Sequence, residues 1–335
     1  MDAVHIVGAG GIGCAVGYAL RSAGVPVLLV EANWKKVEVA RRRGDPLRVR
    51  DRSGNLIGST QAEFIHFEDW RPVQGSWVLL CTKCYDNAAV LARLTVPVRL
   101  LPIQNGFDPR LQTHGHDYEG IASFVSQCLP GESDTRITRE GELHLGRLAE
   151  GQRDDMVQLA DALGRCRLFR VRVVSNILPF KHAKLMYNAA ISPLAAAAGL
   201  DNGELLSIPV ARKLFFALLQ ENYRILSAAG IRLGKVGPFH PRTVAWILRR
   251  KWLSRLMAKS FEPSLRGTYC SMAGEIQKGR TEIDNYNGHL IRLAEQAGTP
   301  SPLNRMVHEL VTKMTAERAM PRREVLDELA RQVTS

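Results

Sequence analysis

No apolar run in this 335-residue chain approaches the ~18 residues a helix needs to cross a bilayer. Its beginning, "MDAVHIVGAG", lacks a charged segment followed by an apolar one, so no secretory leader is expected and the cytoplasm is the default location. Metal-ligand spacings are missing too. The six cysteines stand scattered at 14, 81, 84, 128, 166 and 270, and one C-x-x-C, "CTKC", has no second pair or histidine cluster beside it. Cys81 continues the run "WVLLC" and reads as a small core residue, so no metal is expected. No internal repeat is found, which excludes a repeat architecture. Acid is in short supply: 33 Asp and Glu stand against 45 Lys and Arg, for a net charge of +12. Such an excess suits nucleic acid, but it suits an anionic cofactor and substrate equally.

What is present is the composition of an ordinary globular protein, 45% apolar and 23% charged, at a length that suggests about two domains. The first half alternates short apolar strands with helices. "VHIVG" leads through a glycine-rich turn into "IGCAVGYALRSAG", which Gly24 ends. "VPVLLVE" precedes the helix "NWKKVEVARRR", and "LRVR" and "NLIGS" form a hairpin around Asp51 to Gly54. "WVLLCT", "DNAAVLARL" and "VRLLPI" continue the β-α-β alternation, which predicts a parallel, doubly wound sheet covered on both faces. "GIASFVSQCL" and "GELHLGR", flanking the turn-rich "PGESDTRITRE", predict an antiparallel extension of that sheet. From about Ser175 long amphipathic helices take over: Val210, Leu214, Leu218 and Ile225 recur at helical spacing, as do Ile283, Tyr286, Leu290 and Ala294. The expected fold is α/β, with a Rossmann-type dinucleotide-binding domain over 1–174 and an all-helical substrate domain over 175–335.

Gly8-Ala-Gly10-Gly-Ile-Gly13 fits G-x-G-x-x-G in the context that gives the motif meaning, after a strand and at the head of a helix. Gly8 makes the turn, Gly10 lets the backbone approach a pyrophosphate, and Gly13 lets helix and strand pack closely. The phosphates would sit at the helix N-terminus, over Gly11 and Ile12, where free N–H groups and the dipole favour anions. Glu31 ends the second strand. It can accept from the ribose 2′-OH of NAD and would repel the 2′-phosphate of NADP. Lys35 and Lys36, just after Trp34, could serve that phosphate, so the two signals conflict.

A second pattern lies in "FKHAKLMYNAAISPL". Lys184, Asn188 and Ser192 are spaced by four along a predicted helix and share one face. They are either its wet side or a line facing substrate. Together with "IVGAGGIG", "CTKCYD", "IQNGFD" and "SMAGEIQKGRTEIDNYNG", in this order, the chain resembles the ketopantoate reductase (2-dehydropantoate 2-reductase) family from residue 3 to about 315. The resemblance implies a Rossmann and a helical domain with the active site in the cleft between them, and NADPH-dependent reduction of a 2-keto acid to a 2-hydroxy acid. It implies that Lys184 is the catalytic lysine and Asn188 a substrate-binding amide. Lys83 and Asn105 would line the cofactor and substrate cleft, Ser271 would hold the substrate carboxylate, and Glu282 would contact its reacting end. Hydride addition to a ketone builds negative charge on oxygen, which an ammonium can stabilise and protonate. The bland alternatives are a snorkelling lysine at 184 and a helix-dipole acid at Glu282, with Thr281 as N-cap and Asp284 as its N3 acid.

The chain departs from the family's pattern in places. Ser192 stands where an asparagine is common, Cys270 where a second serine is usual, and Ala32 where an arginine often holds the 2′-phosphate. The cofactor expectation is therefore NADP(H) by resemblance, or NAD(H), which Glu31 favours. Between Lys235 and Arg266 eight Lys and Arg meet one acid, Glu262, alongside Trp246 and Trp252. This is read as a helix pair of the substrate domain, with anion attraction or a homodimer contact left open, and not as a membrane or nucleic-acid surface. The leading function is reduction of ketopantoate to pantoate. A same-architecture oxidoreductase of another carbonyl or imine is the alternative, and a non-catalytic dinucleotide sensor is disfavoured by the lysine, asparagine, serine and glutamate set.

Overall fold

The computed structural model describes residues 3–44, 46–128, 134–149 and 154–334. The chain divides into two compact units, one of Met1–Gln104 and Asp108–Leu178, the other of Asn105–Phe107 and Pro179–Ser335. The first unit contains, in order, β1 (Val4–Val7), α1 (Gly11–Ser22), β2 (Val27–Glu31), α2 (Trp34–Arg42), β3 (Pro46–Arg50), β4 (Leu56–Gln61), β5 (Glu63–His66) and β6 (Trp77–Leu80). There follow α3 (Asn87–Arg93), β7 (Arg99–Pro102), α4 (Pro109–His114), β8 (Tyr118–Ala122), β9 (Val125–Cys128), β10 (Thr135–Arg139), β11 (Glu142–Arg147), α5 (Asp154–Gly164) and β12 (Arg170–Val174).

Five of these strands form an all-parallel sheet in the order β5-β2-β1-β6-β7. The winding reverses beside β1, which makes this a Rossmann-type doubly wound sheet. Its inner strands β2, β1 and β6 read as largely apolar runs because both faces are covered, whereas β5 at the edge alternates exposed Glu63 and half-buried Ile65 with buried Phe64 and His66. Alternate residues enter two different cores: Ile6, Leu29, Leu79 and Leu101 pack on one face, and Val7, Val30, Leu80 and Leu100 on the other.

The late strands differ from expectation. "GIASFVSQCL" is two strands in two further sheets, β4-β3-β10-β9 and β12-β11-β8. The run breaks at Ser123, whose hydroxyl donates to the Glu142 carbonyl (3.0 Å) and accepts the Glu142 N–H (2.8 Å). Opposite it, a side chain on Gly141 would lie 2.4 Å from the Phe124 nitrogen, so only glycine lets the ladder cross there. "TRITR", read within a turn-rich segment, is β10. Its charged residues mask the alternation that buries Thr135 and Ile137. Residues 130–133 of that segment lie outside the described residues.

The second unit is helical: α6 (Leu178–Ala198), α7 (Asn202–Ser207), α8 (Pro209–Ala228), α9 (Pro241–Leu248), α10 (Lys251–Leu265), α11 (Ile283–Gln296), α12 (Pro302–Ala316) and α13 (Glu324–Thr334). No strand follows Val174 among the described residues, and none of their helices is long and apolar enough to cross a membrane. The basic stretch forms α9 and α10, with the Arg250 guanidinium 3.9 Å over the ring of Trp246. The Trp252 side chain lies outside the described residues.

One buried polar network holds α6 in place. Pro193 sits inside α6 and has no N–H for the carbonyl of Ala189, four residues back. Asn287 of α11 supplies the missing donor at 2.9 Å. It also bonds Asn304 (2.9 Å), which donates to Glu221 (2.9 Å) and Asn222 (2.8 Å), and Asn222 donates to the Met186 carbonyl of α6 (3.0 Å). Glu221 in turn accepts the Leu303 and Asn304 N–H groups, capping α12 where its dipole favours an anion. Asn304→Ala strips partners from three buried side chains. It should cost about 3 kcal/mol and lower Tm by about 6–12 °C in a thermal melt followed by circular dichroism.

Candidate active site

The carboxyl edge of the parallel sheet is where such folds bind ligands, and the glycine turn leaves β1 there. Gly8 has φ +99°, and a side chain on it would meet the Cys81 carbonyl carbon at 2.8 Å. A side chain on Gly13 would lie 2.0 Å from the Gly8 oxygen, so α1 can approach β1 only with glycine at that position. Around Gly10, the N-cap of α1, a side chain would meet nothing within 4 Å. No side chain caps α1, so the N–H groups of Gly11, Ile12 and Gly13 have no intrahelical acceptor, Cys14 being the first to find one, on the Gly10 carbonyl at 2.8 Å. Open space in front of uncapped N–H groups is the form a pyrophosphate fits.

Glu31 ends β2. Its carboxylate accepts the Asn33 N–H at 3.0 Å and pairs with the Lys36 ammonium at 3.4 Å. Lys36 also donates to the Ala9 carbonyl inside the glycine turn and is almost fully enclosed, whereas Lys35 is exposed. Burial opposes the Lys36 charge, yet the thiols of Cys128 and Cys14 and the Glu31 carboxylate hold its pKa above the ordinary value. Trp34, exposed at the head of α2, lies flat on His66 with ring centroids 3.9 Å apart.

Lys83 follows β6 and opens a short 3-10 turn, Cys84–Asp86. That turn is locked to the end of β7 by buried amides. Gln104 donates to the Thr82 carbonyl (2.9 Å) and to Asn87 (2.8 Å), while Asn87 donates to Gln104 (3.1 Å) and Asp108 (2.8 Å). Asn105 belongs to the helical unit, where the next residues are anchored. The Phe107 N–H donates to the Asn285 carbonyl (3.0 Å), Asn285 donates back to the Phe107 carbonyl (3.0 Å), and the Phe107 ring stacks on His289 at 4.3 Å. Burial pushes the His289 imidazole down to about 3, helped by His182, Arg292 and Lys181, so it is neutral at pH 7.

Beyond the first turn of α6 the half-buried residues are Lys184, Tyr187, Asn188 and Ile191, one helical face, while Ser192 at the end of the line is buried. The Cys270 thiol donates to the Ser192 carbonyl at 3.4 Å, which brings the segment carrying Ser271 against the end of that line. Ser271 shares a hydrogen bond of 2.9 Å with the hydroxyl of Tyr286, which is fully buried one turn into α11. Glu282, 3% exposed, is itself the N-cap of α11, with its carbonyl accepting from Asn285 and Tyr286. This corrects the capping assignment: Thr281 is not the N-cap, because the helix starts at Ile283. Asp284 instead faces out and pairs with His308 at 2.7 Å, the bond that holds its carboxyl below the usual range.

Sequence reading passed over Asn287, Asn304, Glu221 and the Phe107–His289 stack. Pro193 was the available signal for the first of these, since a proline inside a helix demands a donor for the carbonyl four residues before it. Among the described residues no group of three or more His, Cys, Asp or Glu is placed to hold a metal ion. Gly10→Ala tests the turn. Its backbone, φ −78°, suits alanine, so Tm should hold while the methyl group intrudes where the phosphates would lie. Isothermal titration should show NADH binding weakened at least about tenfold, a loss of ~1.4 kcal/mol.

Two domain models match the chain. One described as ketopantoate reductase PanE/ApbA matches residues 4–150, and one described as ketopantoate reductase PanE/ApbA C terminal matches 176–315. The 2-dehydropantoate 2-reductase of Pyrobaculum aerophilum is 25% identical over 310 residues, covering 92% of this chain and 96% of its own. That of Pyrococcus horikoshii is 25% identical over 322 residues, with the same coverage. Among solved structures, D-mandelate dehydrogenase with NADH and anilino(oxo)acetate has a TM-score of 0.77 at 20% identity, covering 94% of this chain and 99% of that one. The PanE/ApbA family ketopantoate reductase from Ralstonia eutropha JMP134 has a TM-score of 0.73 at 24% identity, with the same coverage. The glycine turn, the doubly wound sheet and the helical unit are thus those of a known lineage, and the chain belongs to the ketopantoate reductase PanE/ApbA family.

Proposed function

We propose that this protein reduces a 2-keto acid to the 2-hydroxy acid with a nicotinamide dinucleotide, ketopantoate being the first candidate substrate. One observation carries the reading. Lys184 and Asn188 share the half-buried face of α6, and the carbonyls of Met186 and Ala189 beside them are clamped by Asn222 and Asn287. The Cys270 thiol on the Ser192 carbonyl brings the Ser271 segment to the end of the same line, so an ammonium, an amide and a hydroxyl belong to one neighbourhood of the helical unit. When bound, the nicotinamide supplies the hydride. Lys184 stabilises the oxygen that gains charge and gives it a proton. Asn188 can donate and accept toward the substrate's polar groups. Ser271, oriented by Tyr286, holds the carboxylate, and Glu282 contacts the reacting end. Gly8 to Gly13, with Lys83 and Asn105, serve the cofactor. The enzyme works in the cytoplasm and pairs as a homodimer in this reading, in line with a ketopantoate reductase from Staphylococcus aureus described as dimeric.

Lys184→Ala should lower kcat by about 10²-fold or more while the NADH-induced rise in Tm persists. Wild-type turnover at saturating substrate would end the assignment. The second reading, another 2-keto acid, is favoured by Ser192, which is shorter than asparagine and buried at the end of the line. Ranking kcat/KM for ketopantoate against aryl-substituted 2-keto acids in the same assay separates the two.

NADH is the proposed reductant. The enclosed Lys36 is held by Glu31 and Ala9, so a 2′-phosphate would meet the Glu31 carboxylate with Lys35 as the exposed lysine nearby. The kcat/KM for NADH should exceed that for NADPH, and Glu31→Ala should narrow the gap about tenfold, ~1.4 kcal/mol of relieved repulsion. A wild type that strongly prefers NADPH refutes this choice.

A further inference from the structure

Behind the glycine turn two thiols face each other. Cys14, fully buried in the first turns of α1, and Cys128, half-buried at the end of β9, have sulfurs 3.8 Å apart. Cys14 donates to the Ala9 carbonyl at 3.1 Å, and Cys128 lies 3.6 Å from the same oxygen. The Lys36 ammonium stands 3.7 Å from the Cys128 sulfur, with Glu31 behind it. β9 is pressed on the start of α1, where a side chain on Gly11 would lie 2.4 Å from the Ser126 oxygen. The two sulfurs therefore need to close less than 2 Å to reach a bonded separation of about 2.05 Å.

We propose that Cys14 and Cys128 are a redox-active pair that a peroxide converts to an intramolecular disulfide. The Cys128 thiolate attacks a peroxide oxygen, the O–O bond breaks, and the leaving oxygen takes a proton to depart as water, leaving Cys128 as a sulfenic acid. The Cys14 sulfur then attacks that of Cys128. The S–S bond forms, the S–O bond breaks, and the Cys14 proton leaves with the second water. Two thiols and one hydrogen peroxide give one disulfide and two waters, and a dithiol reverses the change.

The surroundings assign the roles. The hydrogen bond shared between the two sulfurs, then the Lys36 ammonium, bring Cys128 down to about 7 against burial and the Glu31 charge, which raises its thiolate share at neutral pH. Cys14 is raised well above the ordinary range by its bond to Cys128 and by burial, which suits a resolving thiol and not a first attacker. Burial pushes Cys81 up to about 12 and raises Cys166 as well, so these thiols serve as slow internal references.

The test is peroxide treatment of the full chain at pH 7, alkylation of remaining thiols, proteolysis and mass spectrometry. The expected result is a Cys14–Cys128 linked peptide lighter by two hydrogens, with four of the six thiols still alkylated. Cys14→Ser should leave Cys128 as a sulfenic acid captured by dimedone, and Cys128→Ser should remove the linkage and slow peroxide consumption at least tenfold. The oxidation rate should rise as pH rises through about 7, as the Cys128 thiolate forms. Six alkylated thiols after treatment, or a linkage between other cysteines, overturns the proposal. None of these readouts depends on substrate or cofactor, so they stand apart from the assignment of catalytic function.

Discussion

Leaving a buried backbone carbonyl without a donor is costly, and in both units buried amides answer that cost. In the helical unit it begins with a nitrogen that cannot donate. Pro193 leaves the Ala189 carbonyl open, and the Asn287 amide closes it. From that bond follow Asn304, Glu221 and Asn222, and with them the register of α6, α8, α11 and α12. In the sheet unit Asn87 and Gln104 perform the same task for the loops that leave β6 and β7. In each case buried amides hold backbone that carries proposed site residues, Lys184 and Asn188 on α6 and Lys83 after β6.

The glycine turn shows how little freedom its sequence leaves. Gly13 must lack a side chain for α1 to approach β1, and Gly10 leaves the uncapped N–H groups facing open space. Lys36 reaches under this turn to Ala9, so the cation that pairs with Glu31 also braces the loop. Charge here is structural as much as functional. A lysine that reads as a surface cation for a phosphate is, in three dimensions, an enclosed strut between a carboxylate, a carbonyl and a thiol.

The 45 Lys and Arg find their places in the same way. Some are paired with acids and so add nothing to the net charge, as in Arg50 with Asp134 and Arg322 with Glu328, and others lie on rings, as in Arg99 on Trp77 and Arg250 on Trp246. Cations on aromatic faces need no anionic partner. An excess of base in composition is therefore no measure of a polyanion surface.

The sequence by itself determined the doubly wound sheet, because the four short apolar strands it displays, joined largely by helices, can bury both faces only in a parallel sheet; β5 at the edge, with Glu63 exposed and His66 at its end, carries no such apolar run. It determined the glycine turn, whose spacing is a local steric requirement, and the helical period that puts Lys184 and Asn188 on one face. It did not reveal the split of "GIASFVSQCL" across two sheets, because that depends on Gly141 far along the chain meeting Phe124. The start of α11 at Ile283 also lay beyond it: the sequence offered Thr281 as an adequate cap, while Asp284 was drawn outward to His308 on another helix. Local rules, periodicity, turn sterics and capping preference, act within a few residues and can be read in order. Which buried amide answers which orphaned carbonyl, which lysine is enclosed and which two thiols meet are set by partners scores of residues apart, and only the tertiary structure decided them.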